Sequence, residues 1–194
     1  PGTVGSRIEL PETIRPSDAV TIVATVKNPQ GGRVFASGIN GSVWHGILIK
    51  VEQDNVEFLL NSNTGTQYQN VTQAPFDFSD GWSHQIIATW DKINGDAIPR
   101  IYIDGILISE GVAWDRTIYP NSKYAIGSIH QVEGYTGEPY AGLVDDVAIY
   151  HKGLSAQDVE QLFEASHVQT EEERITSNTT ISSSNTSYDG KNII

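Results

Sequence analysis

The stretch WSHQIIATWDKINGDAIPRIYIDGILI, residues 82–108, decides the fold of this chain. Residues 85–90 are rich in β-branched and aromatic side chains, which is typical of a half-buried strand. Residues 91–99 interrupt the pattern, and Asn94-Gly95 supplies residues that tolerate positive φ. Asp104-Gly105 then separates two short apolar runs and favours the type I′ turn of a tight hairpin. We therefore predict three consecutive strands that form an antiparallel meander.

Similar short apolar runs, bounded by turn residues, occupy most of the remaining sequence. Residues 19–26 are almost continuously apolar and β-branched, as in a strand covered on both faces. Residues 61–73 are polar and turn-rich, and they favour a long loop or a loop with one weak strand near 68–71. Further strands are expected near 8–10, 34–36, 47–51, 56–60, 124–129 and 140–150. The pattern predicts an all-β sandwich of two antiparallel sheets.

One short helix is predicted after the last strand. Ser155 is its N-cap candidate, Asp158 lies three positions on, and Val159 and Leu162 follow at helical spacing, with Leu154 as a hydrophobic staple. From residue 168 onward Ser, Thr and Asn dominate, and such a segment cannot bury a core of its own. We divide the chain into a lead-in segment (1–18), a β-sandwich (19–166) and a polar tail or arm (167–194). The tail is expected to add strands to a neighbouring chain in a homo-oligomer.

Composition excludes several classes of protein. The chain has 24 acidic and 12 basic residues, a net charge of −12, and no Lys/Arg cluster, which argues against nucleic-acid binding. It has no cysteine, so the fold depends on no disulfide. No apolar window is long enough for a membrane helix. The first ten residues lack a basic n-region and an apolar h-region, which predicts no signal peptide in this chain.

A set of motifs, in this order and spacing, resembles the laminin G-like, concanavalin A-like jelly-roll group. They are Trp82-Ser-His84, IIATWD at 86–91, IYIDG at 101–105, Ile126-Gly127, GLVDDVAIY at 142–150, and Leu154-Ser155 with Asp158-Val159 and Leu162. The resemblance covers residues 19–165 and implies a two-sheet jelly roll. It also implies binding of carbohydrates or protein surfaces, although a minority of fold relatives are glycoside hydrolases. His84 is expected to pack or hydrogen-bond at the start of its strand.

The glycosidase alternative has one motif to support it. Related retaining glycosidases carry Glu-x-Asp-x-x-Glu on one strand, and the same letters occur at Glu52, Asp54 and Glu57. Here Val51 ends one predicted strand and Val56 begins the next, so the motif lies on a solvated hairpin tip that would not raise the pKa of an acid. Histidine spacing typical of zinc and the Gly-x-Ser-x-Gly motif are both absent from the sequence. We predict that the protein is not an enzyme.

Aromatic residues in predicted loops, together with polar residues near them, are the candidates for ligand binding. A ring can take the C–H face of a sugar while carboxylates and amides bind its hydroxyl groups. The candidate residues are Trp44, His45, Trp114, Tyr119, Tyr135 and Glu138. The alternative is that each tryptophan covers the core at one end of the sandwich.

The resemblance also implies one structural Ca²⁺. Asp145 matches the position of a calcium-ligating aspartate in the last long strand, and Gly38 could supply a carbonyl oxygen. The alternative is that Asp145 caps backbone amides and that Asp146 is exposed.

Two functional classes remain open at this point. The first is a non-catalytic lectin-like module that recognises a glycan or another partner on a cell surface. The second is a structural or assembly domain in a capsid, tail or fibre. A protein on a virion surface, or an extracellular fibre, would join both classes, and the Ser/Thr/Asn tail resembles the stalk sequence of such proteins.

Overall fold

The computed structural model describes residues 7–11, 13–14, 16–37, 39–40, 43–44, 46–63, 67–118, 123–128 and 138–166. Within these ranges the chain forms thirteen strands and one helix. The strands are β1 (Ile8–Glu9), β2 (Ala19–Lys27), β3 (Arg33–Ser37), β4 (Ile39–Asn40), β5 (Val43–Trp44), β6 (Gly46–Val51), β7 (Asn55–Asn63), β8 (Gln67–Pro75), β9 (Ser83–Asp91), β10 (Arg100–Ile103), β11 (Ile106–Glu110), β12 (Tyr124–Ile126) and β13 (Leu143–Tyr150). The helix α1 spans residues 156–166. The predicted tail, 167–194, lies outside the described residues.

Two antiparallel sheets pack face to face, which confirms the predicted two-sheet jelly roll. The six-stranded sheet has the order β1-β12-β3-β6-β7-β8, and the five-stranded sheet has the order β11-β10-β9-β2-β13. β4 and β5 pair with each other as a short ribbon in the segment that was expected to be a loop. The inward faces of both sheets share one large apolar core, which includes Trp90, Phe35 and Phe58, all of them fully buried.

The meander forms as predicted, with β10 paired to both β9 and β11. Asp104 and Gly105 join the last two strands with φ of 51° and 77°, as a type I′ turn requires.

The loop before β10 differs from the prediction. The positive φ expected at Asn94-Gly95 occurs instead at Ala97, where φ is 60°. The Asp91 carboxylate organises this loop, because its Oδ1 accepts the backbone N–H groups of Ile93 and Asn94 at 2.8 Å. A Cβ at Gly95 would lie 2.6 Å from the Asp91 carbonyl oxygen. The glycine therefore permits a close approach and does not supply a left-handed turn.

β2 is covered on both faces, as its apolar run predicted. Ile22 and Val26 face the main core, and Val23 faces away from it. Val23 joins Ile87 and Val159 in a second cluster on the outer face of the five-stranded sheet. Because Val159 belongs to α1, the helix is the element that covers this outer face.

β8 is the main element that the sequence pattern missed. Residues 67–75 form a strand of nine consecutive register pairs with β7, so the long-loop alternative is wrong and the weak strand near 68–71 is too short. The strand is polar because it lies at the edge of its sheet. Thr72 points inward and is buried, whereas Val71 and Gln73 point outward and are exposed.

α1 begins with the predicted capping box. Ser155 Oγ accepts the N–H of Asp158 at 3.2 Å, and Asp158 Oδ2 accepts the N–H of Ser155 at 3.0 Å. Leu154 packs in the same cluster as Val159, as expected for a staple. In the described part of the chain, no helix has the length and apolar character needed to cross a membrane.

Candidate functional site

A row of polar side chains crosses the outer face of the six-stranded sheet. Arg33 of β3, Lys50 of β6, Glu57 of β7 and Gln73 of β8 are neighbours in register. Side chains alternate between the two faces of a strand, and the flanking residues of β6 and β7 point into the core. We call these four residues the polar row. Gln73 Nε2 donates a hydrogen bond to Glu57 Oε1 at 2.8 Å, so the row is partly ordered by its own contacts.

An apolar strip lies beside the polar row on the same face. It consists of Leu48, Leu59 and Val71, which are paired across β6, β7 and β8 two residues along from the row. Leu48 is 5% exposed and Val71 is 46% exposed, so the strip opens toward the edge strand. The face therefore presents C–H surface next to charged and amide groups, as a flat, partly polar ligand requires.

Lys50 links the polar row to the hairpin between β6 and β7. Its Nζ lies 2.6 Å from Glu52 Oε1 and 3.8 Å from Glu138 Oε2. The hydrogen bond to Glu52 raises the pKa of Lys50 above its ordinary value, so the side chain is an ammonium at neutral pH. Arg33 Nε lies 3.6 Å from the same oxygen of Glu138. Of the candidate ligand residues that the structure describes, Glu138 lies at the polar row.

A groove opens beside the row at the tip of this hairpin. It has a volume of about 900 Å³ and is lined by Gln30, Glu52, Gln53, Asp54, Asp77 and Ser79. We call these six residues the hairpin groove. Residues 76–82, which follow β8, form one side of it, and we call them the groove wall. Phe76 N donates to Asp54 O at 3.1 Å and Phe78 N donates to Gln53 O at 3.0 Å, which ties the wall to the hairpin tip.

The hairpin groove is acidic. Glu52, Asp54 and Asp77 line it, and no Lys or Arg is among the described lining residues. Hydrogen bonds from the side chain and backbone of Ser79 lower the pKa of Asp77, so this carboxylate is ionised at neutral pH. A Cβ at Gly31 would collide with Glu52 Oε2, so the glycine leaves space for that carboxylate.

The glycosidase-like letters do not share one strand. Val51 pairs with Val56, and Glu52 N donates to Asn55 O at 2.8 Å, which closes the hairpin as predicted. Glu52 lies at the tip and bonds Lys50, whereas Glu57 lies in β7 and bonds Gln73. A retaining glycosidase needs two carboxylates that project side by side from one strand into a cleft. The hairpin does not place Glu52 and Glu57 in this way.

Trp114 belongs to the core, as the alternative for loop tryptophans stated. Its side chain is 7% exposed and lies 5.3 Å from the ring of Trp90, whose Nε1 donates to the Trp114 carbonyl oxygen at 3.1 Å. A ring so deeply buried offers no face to a ligand. Of the other aromatic candidates, Trp44 is described only in its backbone, in β5, and His45, Tyr119 and Tyr135 lie outside the described residues.

Asp145 is exposed on β13, and its Oδ1 accepts the N–H of Asp146 at 2.9 Å. This is the capping role named as the alternative to calcium binding, and Asp146 is exposed as well. Gly38 lies outside the described ranges. Among the residues that the structure describes, no group of three or more His, Cys, Asp or Glu could hold a metal ion. Since Ca²⁺ takes six to eight oxygens, these residues alone do not assemble a calcium site.

His84 packs and hydrogen-bonds at the start of β9, as expected. Its ring meets Phe76 and Phe78 edge-on, with centroids 4.9 and 5.5 Å away. Its two ring nitrogens contact Asp104 and Asp80. Neither this cluster nor the polar row was predicted from the sequence. The polar row could have been recognised from the sequence, because Lys50, Glu57 and Gln73 occupy outward positions of the consecutive strands β6, β7 and β8.

Three solved structures with the same fold illustrate its range. The Ruminococcus gnavus IT-sialidase CBM40 bound to α2,3-sialyllactose has a TM-score of 0.62 at 16% identity, with 84% of this chain and 100% of that chain covered. The heptameric SAP-like pentraxin from Limulus polyphemus has a TM-score of 0.56 at 16% identity, with 77% of this chain and 71% of that chain covered. The binding domain of botulinum neurotoxin DC in complex with SialylT has a TM-score of 0.54 at 17% identity, covering 76% of this chain but only 35% of that chain.

At such identities these likenesses show the shared fold. A comparison with curated protein sequences finds no match. Residues 2–160 match the model of one family, which includes nearly all of the sandwich. The chain therefore belongs to the concanavalin A-like lectin/glucanases superfamily.

Proposed function

We propose that this protein is a non-catalytic, lectin-like module that binds a glycan on the outer face of the six-stranded sheet. The observation that carries the proposal is the apolar strip beside the polar row, with the hairpin groove next to both. A sugar ring presents C–H groups on its faces and hydroxyl groups around its rim. Leu59 and Val71 would contact the C–H groups, and Lys50, Glu57 and Gln73 would hydrogen-bond the hydroxyls.

The comparisons support the ligand class. Two of the three similar structures are glycan complexes, one with sialyllactose and one with SialylT. The proposal extends from those proteins to this chain only the general class, a carbohydrate.

Single substitutions on the polar row test the site. Lys50→Gln and Glu57→Gln each remove one charge-assisted hydrogen bond, which is worth about 1.5–3 kcal/mol, or about 10- to 150-fold in Kd. A glycan array should first identify a ligand for the wild type, and calorimetry should then show losses of that size. Glu110→Gln, an exposed carboxylate on β11 of the other sheet, is the matched control and should bind normally. Equal losses in all three variants would contradict the site.

We also propose that the protein does not hydrolyse its ligand. Glu52 and Glu57 are held by different partners, and Asp54 is at an exposed tip. Incubation with β-glucans and galactans should release no reducing ends. Turnover that Glu52→Gln abolishes would reverse this conclusion.

The tail and the location of the protein form a separate proposal. We propose that residues 167–194 join copies of the chain into a homo-oligomer and that the protein acts on a virion or other extracellular surface; the support is the composition of the tail. A chain that ends after Ser166 should keep its melting temperature and lose oligomer mass in light scattering. A full-length monomer, or a shortened chain that unfolds, would refute the proposed homo-oligomer.

One structural Ca²⁺ is also proposed, held by Asp145 and carbonyl groups such as that of Gly38. A ligand present at about 100 times Kd stabilises the native state by about 2.7 kcal/mol. EDTA should therefore lower the melting temperature, and Asp145→Ala should remove the effect of EDTA. Asp146→Ala, its exposed neighbour, is the control. An unchanged melting curve in EDTA, with no metal by elemental analysis, would reject the site.

A further inference from the structure

Both ring nitrogens of His84 face carboxylates. Nδ1 lies 2.6 Å from Asp104 Oδ2, and Nε2 lies 3.1 and 3.2 Å from the two oxygens of Asp80. A neutral imidazole has one N–H and one lone pair, so it can donate to only one of the two aspartates. Its lone pair would then face the other carboxylate. Only the imidazolium satisfies both contacts at once.

The surroundings of the ring favour the same protonation state. Phe76 and Phe78 flank it, Val26 of β2 is its register partner, and the side chain is 9% exposed. Burial lowers the pKa of His84, but the hydrogen bonds to Asp104 and Asp80 outweigh it and raise that pKa above its ordinary value. Among the residues that the structure describes, Asp80 and Asp104 are the charged groups in contact with the ring.

The two aspartates belong to different parts of the sandwich. Asp104 lies in the β10–β11 turn, where its Oδ1 accepts the N–H of Gln85 at 2.9 Å and its own N–H donates to the Gln85 carbonyl oxygen at 2.9 Å. Asp80 lies in the groove wall, and its Oδ1 accepts the N–H of Trp82 at 2.8 Å. His84 therefore joins the wall of the hairpin groove to the five-stranded sheet.

We propose that His84 is a proton-controlled clasp, which holds the 80–82 end of the groove wall against the five-stranded sheet when the imidazole is charged and releases that end when the proton is lost. Asp80 is the side that opens. Its contacts with the ring are longer than that of Asp104, and its side chain is 44% exposed against 30% for Asp104. Asp104 also has two backbone contacts with Gln85 to keep it in place.

The clasp sets a direction for the effect of pH. The pKa of His84 is higher in the folded state than its ordinary value of about 6.5. Its contribution to stability is therefore complete below that ordinary value and is lost as the pH rises through the folded-state pKa. Asp77 and Ser79 line the hairpin groove from the same wall, so the groove is best formed in the acidic part of this range.

The experiment is an NMR titration of the full-length protein between pH 5 and pH 9. The His84 ring should titrate above about 6.5, and the backbone amides of Ser79 and Trp82 should shift with the same midpoint. Asp80→Asn keeps an acceptor for the Trp82 N–H but removes the charge. In that variant the His84 midpoint should fall, because one of the two carboxylates that favour the charged ring is gone, and the two amides should stop following it.

His151→Gln is the matched control, because His151 is exposed and follows Tyr150, which pairs with Thr21 far from the Val26–His84 pair. It should leave the His84 midpoint and both amide titrations unchanged. A His84 ring that titrates at or below its ordinary pKa would overturn the clasp. So would amides of Ser79 and Trp82 that do not move with it. Neither readout needs a glycan, so the clasp and the glycan site fail independently.

Discussion

Gly81 and Gly105 share a backbone conformation but differ in their surroundings. Their φ angles are 80° and 77°, in the left-handed region that side chains with a Cβ disfavour. A Cβ at Gly105 would lie 3.1 Å from a ring carbon of Phe163 in α1, whereas nothing lies within 4 Å of a Cβ at Gly81. The pair therefore separates the cost of the conformation from the cost of crowding the helix.

We predict that Gly81→Ala lowers the free energy of unfolding by about 1–2 kcal/mol, the cost of a left-handed residue with a side chain. Gly105→Ala should lower it further, because Phe163 must also move. Urea unfolding of both variants measures the difference. Equal losses would show that the contact between the β10–β11 turn and α1 yields without cost.

The burial of individual tryptophans could not be predicted from the sequence. Trp114 lies in an irregular segment and is buried, whereas Trp82, next to a strong strand motif, is 72% exposed. Local pattern could not separate them. The burial of Trp114 depends on the path of its segment, which is held by a bond from Trp114 N to Ala97 O at 2.8 Å. The contacts of His84 with Asp80 and Asp104 also form only in the folded chain.

Among the elements, β9 to β11 could be predicted because their signals are local: short runs rich in β-branched and aromatic residues, and an Asp-Gly turn. β8 could not, since an edge strand with a polar outer face has little apolar alternation to reveal it. The polar row depends on the register of β8 with β7, which places Gln73 opposite Glu57. The main part of the candidate site was therefore missed for the same reason as the strand.

We predict that Ser155→Ala lowers the free energy of unfolding by about 1 kcal/mol, the usual cost of losing an N-cap. The loss follows because Ser155 Oγ accepts the Asp158 N–H and donates to Asp158 Oδ2 at 2.7 Å. Ser155→Thr retains the hydroxyl and is the matched control. Chemical denaturation measures both variants, and a full loss in the threonine variant would assign the effect to packing around Leu154.

The whole molecule carries a net charge of −12, and the hairpin groove repeats that sign locally. An anionic ligand near the polar row is therefore repelled by the carboxylates of Glu52, Asp54 and Asp77. In water, two like charges about 6 Å apart repel by about 0.7 kcal/mol, which is about threefold in affinity for each carboxylate.

We predict that this protein binds a neutral glycan several-fold more tightly than its sialylated form. Added salt should reduce this difference in affinity, because screening weakens the repulsion. Asp54→Asn with Asp77→Asn should narrow it too, whereas Glu110→Gln, on the other sheet, should leave it unchanged. Calorimetry with matched sialylated and asialo oligosaccharides measures the ratio. A preference for the sialylated ligand in all variants would contradict the placement of the site.

The pairing of β2 with β13 has a consequence for how the chain is made. Thr21 Oγ1 in β2 donates to the carbonyl oxygen of Lys152, 131 residues later, at 2.8 Å. A ribosome that adds about 5–20 residues per second reaches that partner on the order of ten seconds after β2 has been synthesised. During synthesis β2, in which seven of nine residues are buried in the folded protein, lacks the neighbour that covers its edge. Nascent chains that stop before Leu143 should therefore aggregate. The yield of folded protein should then depend on the speed of translation.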